Sequence, residues 1–340
     1  MVGGARGVWF PAIRTGGGAD VFTERLAAEL SKRGLRTQIT WLPLRAEFAP
    51  WTVPVPRPPA WADVAHVNTW LPPRFLPVGI PVVATVHHCI HEPALQRYKG
   101  KLRRIYHEVW VASNERAISR RATVLTAVSA FAGSSAARVL GNKRVEVVHN
   151  GVDVDLFQPR QRLQRDRFRL LYVGKWSVLK GVDLFPAILS ELGAGFEFCC
   201  AGPGSTDSRA LSSTGVMVRD LGRLPTSEAV AKAMQEADVL VFPSRMEGFG
   251  LVVAEAMACG LPVVATRGSA LTELVEDGVT GFLCSQDDAK SFAQAVRCLA
   301  IDDGLRIHMA ERARRRAVER FSIEQMVEAY AQIYACCNRA

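Results

Sequence analysis

The sequence predicts an α/β protein made of doubly wound parallel sheets in two domains, and three observations carry the prediction. Short apolar runs rich in β-branched residues alternate with helical patterns along the whole chain, the pattern of βαβ units around parallel sheets. At 340 residues the chain is long enough for two cores of ordinary size. The alternation also starts afresh after a polar, charged stretch at 160–168, and the basic excess lies before it: residues 1–165 carry 23 Lys and Arg against 11 Asp and Glu, whereas 166–340 carry 19 against 22.

Composition excludes several classes. With 49% apolar and 22% charged residues the chain is ordinary for a globular protein. No apolar run approaches the roughly 18 residues of a membrane helix, and the N-terminus lacks the basic, apolar and small-residue regions of a signal peptide. Eight cysteines without C-x-x-C spacing are expected to be reduced, mostly buried thiols of a cytoplasmic protein. Despite the net charge of +9, no nucleic-acid-binding motif is present and no nucleic-acid partner is expected.

Gly7-Val8-Trp9-Phe10 reads as the first strand and leads into Arg14-Thr15-Gly16-Gly17-Gly18; Ala19–Leu30 then reads as a helix ending near Gly34. Strand, glycine turn and helix open a βα unit whose turn can approach a phosphate. The turn is not G-x-G-x-x-G and the next strand, Gln38–Leu42, carries no acid, which counts against a dinucleotide site. An ordinary tight turn fits the same residues. Arg45–Pro59 is proline-rich and reads as an irregular surface loop. Asp63–Asn68 and Pro81–Val86 read as buried strands, the second delivering His87 and His88 at its carboxyl end, where ligands sit in open α/β sheets. Packing is the competing role for such a histidine.

Arg97–Arg121 holds eight bases against Glu108 and Glu115, with Ile105, Val109, Ala112 and Arg116 at helical spacing. Such an amphipathic basic helix fits either an anionic membrane surface or a solvated flank packed on its own domain. Val124–Val128 and Arg144–Val148 are further strands, followed by Asn150–Pro159, in which Asp153 and Asp155 form a D-x-D pair. Such a pair can ligate a hard cation or cap a turn. Residues 160–168 are polar and charged, as in a hinge.

A second βα alternation begins at Leu170–Val173, followed by Lys175 and, five residues on, Lys180. Two lysines around a turn suit a diphosphate, each being a compact flexible charge. Phe196–Ala201 is a strand ending in Gly202-Pro203-Gly204, and Val216–Leu221 leads into Gly222-Arg223-Leu224. Ala289–Leu299, Leu305–Arg320 and Phe321–Tyr334 read as helices. Between them lies the stretch richest in chemistry, Val239–Thr266. Val239–Phe242 is an apolar strand closed by Pro243; Gly248 and Gly250 flank Phe249; Leu251–Cys259 has helix-forming residues and stops at Gly260. A helix N-terminus beside a glycine loop favours a bound anion. Glu247 stands at the helix mouth and Glu255 inside the helix, so a ligand with an anionic middle and hydroxyls at both ends meets both.

Pro243 to Ala265 closely resembles the signature of the retaining glycosyltransferases of glycosyltransferase family 4, P-S-x-x-E-G-F-G-x-x-x-x-E-A-M-A-x-G-x-P-V-V-A. The Gly16–Gly34 stretch, Thr85-x-His87, the link Asn150–Pro159 and the Lys175/Lys180 pair resemble further family motifs, with Lys175 where the family has arginine and an unexplained His88. The resemblance runs from Gly16 to about Tyr334 and is strongest in the second half.

It implies the GT-B fold, two Rossmann-like domains facing across a cleft. Residues 1–165 would bind the acceptor, residues 166–320 the nucleotide sugar, and 321–340 would form a helix crossing back to the first domain. It implies donor contacts from Gly17, Gly18, Lys175, Lys180, Gly222, Glu247, Gly248, Phe249, Gly250, Leu251 and Glu255, with His87, Glu247 and Lys180 nearest the chemistry. It gives Asp153 and Asp155 a turn-forming role, so neither a metal nor a cofactor is expected. The function so implied is retaining transfer of a hexose of mannose, rhamnose or glucose type to a hydroxyl acceptor. Charge and analogy add a lipid-linked saccharide of bacterial surface polysaccharide synthesis as acceptor, met at the inner membrane face. A nucleotide-sugar epimerase of the same fold is the second reading, and differs in needing no acceptor.

Overall fold

The computed structural model describes residues 7–141, 144–160, 166–204, 211 and 213–337. The chain divides into two compact units, Met1–Gly151 with Ile323–Ala340, and Val152–Ser322.

The first unit is a parallel sheet of β1 (Gly7–Ile13), β2 (Arg36–Leu42), β3 (Val64–Asn68), β4 (Val82–Val86), β5 (Val124–Ala127) and β6 (Val145–Val147) in the order β2-β1-β3-β4-β5-β6. Val64–Asn68 and Val82–Val86 are near-continuous apolar runs because both faces of such a sheet are covered. Helix Gly18–Lys32 and the terminal helix Ile323–Cys337 share one apolar core with the sheet, in which Phe22, Leu26, Met326, Val327, Tyr330 and Tyr334 meet Val8, Phe10 and Val83. His66 is sunk in this core, its ring bonded to Tyr334 Oη at 2.5 Å and Thr85 Oγ1 at 2.6 Å.

The second unit repeats the plan with β7 (Phe168–Val173), β8 (Phe196–Ala201), β9 (Met217–Asp220), β10 (Val239–Phe242), β11 (Val263–Thr266) and β12 (Gly281–Cys284) in the order β12-β11-β10-β7-β8-β9, all pairs parallel. Strand order reverses between β1 and β3 in the first sheet and between β7 and β10 in the second, and open α/β sheets bind ligands beyond the carboxyl ends of the strands flanking such a reversal. Helix Leu251–Ala258 is apolar apart from Glu255 and buried from Val253 onward, so its mouth is held at the end of β10.

Three expectations need revision. The units divide at Gly151, earlier than the boundary expected at 165/166 from the polar stretch 160–168, because the link is packed into the second unit. Val152 N–H donates to Phe321 O at 2.8 Å, Phe157 is fully buried, and the Arg314 guanidinium donates to the carbonyls of Val154, Phe157 and Ala258. Of the expected hinge, residues 161–165 lie outside the described residues. The proline-rich stretch is not wholly irregular, since Arg45–Phe48 is a helical turn with Glu47 buried. The basic helix is not continuous either: Pro93–Tyr98 is a 3-10 segment, Lys101–Ile105 is α-helical, Tyr106–Val111 is a π-turn, and Ala112–Arg121 resumes the α-helix. The extra residue of the π-turn rotates the stripe. Ala112, Glu115 and Ile118 face inward, whereas Ile105 and Val109 are exposed. Among the described residues no helix is long and apolar enough to cross a membrane. The cysteines are all free, and six of the eight are buried.

Candidate functional site

In the second unit the site is built where β7 and β10 leave the sheet. Beyond β7 the chain makes the 3-10 turn Val178–Lys180, closed by Gly181 at φ 72°, where a Cβ would lie 2.0 Å from the carbonyl oxygen of Pro243. Only glycine permits both that angle and that approach. The turn is thereby pressed onto the exit of β10, and Lys180 Nζ reaches Glu247 Oε1 at 2.5 Å. Both side chains are largely shielded from solvent.

Arg245 fastens this arrangement. Its backbone N–H donates to Leu179 O at 3.0 Å, its guanidinium grips the Asp183 carboxylate with bonds of 2.6 and 2.8 Å, its Nε donates to Asp287 Oδ1 at 2.7 Å, and Nη1 also meets the Val178 carbonyl. The bidentate fork holds the Asp183 carboxyl below the usual carboxylate range, and the two carboxylates hold the guanidinium above its ordinary value despite burial. Sequence reasoning missed this knot. The only local signal was an arginine in an otherwise apolar strand exit, and its two acids come from other loops.

The Glu247 N–H donates to Ser269 Oγ at 3.1 Å. Gly250, at φ 102°, then starts helix Leu251–Ala258, and no side chain caps the helix mouth, so the positive end of its dipole is left to meet an anion. Glu255 is buried inside the helix. The Phe249 ring turns inward, edge-on to Phe321 at 5.9 Å, so at this position only the backbone is on offer. Lys175 is exposed at the end of β7, its carbonyl accepting from Tyr172 Oη at 2.9 Å. Gly222 closes the row of strand ends, accepting from Gly202 N–H at 2.9 Å and donating to Asp220 Oδ1 at 2.8 Å. The structure thus brings Lys180, Glu247 and the uncapped helix mouth together. Lys175 and Gly222 stand at the ends of neighbouring strands.

In the first unit the glycine turn leads into helix Gly18–Lys32, again without a side-chain cap. The Asp20 carboxylate takes the N–H groups of Thr15 and Gly16 at 2.8 and 2.6 Å, holding the turn with Gly17 and Gly18 at the helix start. A pocket at the β1/β3 reversal is lined by Thr15, Asp20, Thr23, Glu47, Asn68 and Trp70. Of these residues, Glu47, Asn68 and Trp70 escaped the sequence reading because Glu47 lies in the helical turn after β2, and only the strand order brings it beside the end of β3 that carries Asn68 and Trp70. His87 leaves β4 partly buried, 4.6 Å edge-on to Phe22, and burial lowers its pKa to about 3, so the imidazole is neutral near pH 7. His88, unexplained in the sequence, lies 3.2 Å from the fully buried Glu115 carboxylate, which also meets His91 and accepts from Thr69 Oγ1 at 3.0 Å. Asp153 is a turn former: its Oδ1 accepts from the N–H groups of Asp155 and Leu156 at 3.1 and 3.0 Å.

Comparison with known proteins agrees with this geometry. Residues 167–302 match the family described as Glycosyl transferases group 1, and residues 43–156 match Glycosyltransferase Family 4. A D-inositol 3-phosphate glycosyltransferase of Xylanimonas cellulosilytica is 31% identical over 313 residues, covering 82% of this chain and 73% of that protein. Among solved structures, Anabaena Alr3699/HepE in complex with UDP superposes with a TM-score of 0.73 at 19% identity, covering 96% of this chain and 98% of that one. WaaG, a glycosyltransferase involved in lipopolysaccharide biosynthesis, does so with a TM-score of 0.74 at 19% identity, covering 96% and 99%. Two parallel α/β units of this kind are the GT-B fold, and the chain is a glycosyltransferase belonging to glycosyltransferase family 4.

Proposed function

We propose that the enzyme transfers a hexose of mannose, rhamnose or glucose type from a nucleotide diphosphate sugar to a hydroxyl of a lipid-linked saccharide, with retention of configuration and without a metal ion. The observation that carries the reading is the contact of Lys180 with Glu247 beside the uncapped helix mouth, at the strand reversal of the second sheet. As the sugar–phosphate bond breaks, negative charge grows on the diphosphate. Lys180, Lys175 and the helix mouth supply the positive potential that stabilises it, which is the service a divalent ion performs elsewhere. Glu247 accepts from hydroxyls of the sugar and Glu255 from those of the ribose. Same-face attack follows: the acceptor oxygen bonds to the anomeric carbon while the phosphate oxygen leaves from that face and takes the acceptor's proton.

Support for the donor class comes from Alr3699/HepE, which is solved with UDP. Support for a lipid-linked acceptor of surface polysaccharide synthesis, met at the inner membrane face, comes from WaaG and from the basic first half of the chain. D-inositol 3-phosphate, named for the bacterial relative, is the competing acceptor. The test is transfer from labelled nucleotide sugars in the presence of chelator, with membrane extract or D-inositol 3-phosphate supplied, and proton NMR of the product. A chelator-resistant, lipid-extractable product with the donor's anomeric configuration supports the proposal. An inverted product, or label on inositol phosphate alone, refutes it.

A further inference from the structure

The first unit carries an exposed face that its own fold does not cover. On the Lys101–Val111 segment Leu102 and Val109 are 86% and 66% exposed, and Ile105 between them is exposed as well. Leu102 and Ile105, three residues apart, share one side of the α-helical turn, and Val109 follows in the π-turn, all three facing solvent. Beside it, on Arg45–Thr52, Phe48 is exposed and Trp51 is 67% exposed. The two segments are locked together: the Phe48 ring packs on Tyr106 at 5.4 Å, Tyr106 Oη donates to Glu47 Oε1 at 2.8 Å, and Trp110 Nε1 donates to Glu47 O at 2.9 Å. A burial-satisfied carboxylate and two aromatic rings therefore hold large apolar side chains out into solvent, the reverse of ordinary amphipathic packing.

These segments and the preceding 3-10 segment Pro93–Tyr98 expose Arg45, Arg97, Lys101, Arg103 and Arg104, with Glu108 as the exposed acid among them. We propose that this apolar and basic face seats on an anionic lipid bilayer, with Leu102, Ile105, Val109, Phe48 and Trp51 entering the headgroup boundary and the bases meeting lipid phosphates. An aromatic and aliphatic stripe flanked by Arg and Lys is what such an interface accommodates. A second copy of the chain is disfavoured as occupant, because two such faces set one cluster of bases against another. Nucleic acid has no use for the aliphatic stripe. The inference deepens the proposed placement at the inner membrane face, on which it rests for the choice of surface, and it requires no particular acceptor.

The test is flotation of the full chain with vesicles of phosphatidylcholine alone, or with phosphatidylglycerol added to about one-third of the lipid. The chain is expected to float with the anionic vesicles at low salt, to stay down with neutral ones, and to be released by salt of about 0.5 M. Leu102→Asp with Val109→Asp lowers the bound fraction at least about tenfold, and Trp51→Ser several-fold, while nucleotide-sugar hydrolysis in solution is retained as proof of folding. Failure of the wild-type chain to float, equal flotation with neutral lipid, or flotation of the variants like the wild type overturns the proposal. So does binding of random DNA as tightly as anionic vesicles. None of these outcomes touches the donor chemistry, which the hydrolysis assay reads separately.

Discussion

Lys180 Nζ and Glu247 Oε1 meet at 2.5 Å although their residues lie 67 positions apart in the chain. They meet because strand order brings β7 beside β10, so the turns leaving both strands share one edge of the sheet. In the free enzyme the pair satisfies itself. A bound nucleotide sugar would substitute a phosphate for the carboxylate at Lys180 and a sugar hydroxyl for the ammonium at Glu247.

Lys180→Ala removes a charge aimed at the developing phosphate charge. Turnover is expected to fall by about 10²–10³-fold, the usual cost of one such group, with a smaller change in donor KM. Lys180→Arg should recover part of the loss. Steady-state kinetics on the donor checks this, and a variant altered in KM alone would mean that Lys180 binds the ground state only.

Arg245→Ala leaves Asp183 and Asp287 without the cation that joins them, and releases the Val178–Lys180 turn. The arginine is buried while the two acids are partly solvated and can turn to water, so a stability loss of about 2–3 kcal/mol is expected. Donor affinity should fall with it. Arg245→Lys should restore little, because an ammonium cannot span the bidentate contact. Thermal denaturation and donor titration read the two effects separately.

Gly181→Ala tests the pressing of that turn onto β10. An added Cβ there meets the Pro243 carbonyl oxygen, whereas at Gly34, the left-handed residue at φ 88° that ends helix Gly18–Lys32, it meets nothing within 4 Å. Gly34→Ala should cost about 1 kcal/mol of backbone strain alone. Gly181→Ala should cost well over twice that and lower activity too. Equal costs at the two sites would mean that the close approach carries no energy.

Acid should destabilise the first unit through its buried histidines. Burial, and secondarily the neighbouring His87, holds the His66 pKa down to about 3 from 6.5. The unfolded chain therefore takes up a proton that the folded chain refuses. Stability is whole above about pH 6.5 and falls as pH drops from there toward 3, by up to about 1.4 kcal/mol per pH unit for each such histidine. Denaturant titrations at pH 7 and pH 5 should show the fall, and His66→Gln should flatten it. The same shift keeps His87 neutral across the working range, so it adds no step near pH 6.5 to the rate profile.

What was legible in the sequence was what lies close together along it. The strand, glycine loop and helix of Val239–Thr266 announce themselves within 28 residues, counted inclusively, and alternation alone gives doubly wound sheets. Arg245 was illegible because its partners, Asp183 and Asp287, arrive from loops that only strand order unites. Trp70 and Glu47 were hidden in the same way at the β1/β3 reversal. The stripe of Ile105 and Val109 was visible as a period, but the π-turn decided which way it faces. The unit boundary was misplaced because a polar stretch such as 160–168 marks exposed chain, whereas Phe157 and Arg314 mark packing.

The central claim is that the element from Glu247 to Glu255, with Lys180, turns over a nucleotide diphosphate sugar. The most direct test is release of nucleoside diphosphate from a panel of nucleotide sugars, with chelator present, by the wild-type chain and by Lys180→Ala and Glu255→Ala. The account predicts turnover of one sugar nucleotide that survives chelator and falls at least about 100-fold in Lys180→Ala and about tenfold or more in Glu255→Ala. Unchanged release in both variants, or no release and no binding of any nucleotide sugar by the wild type, would contradict it.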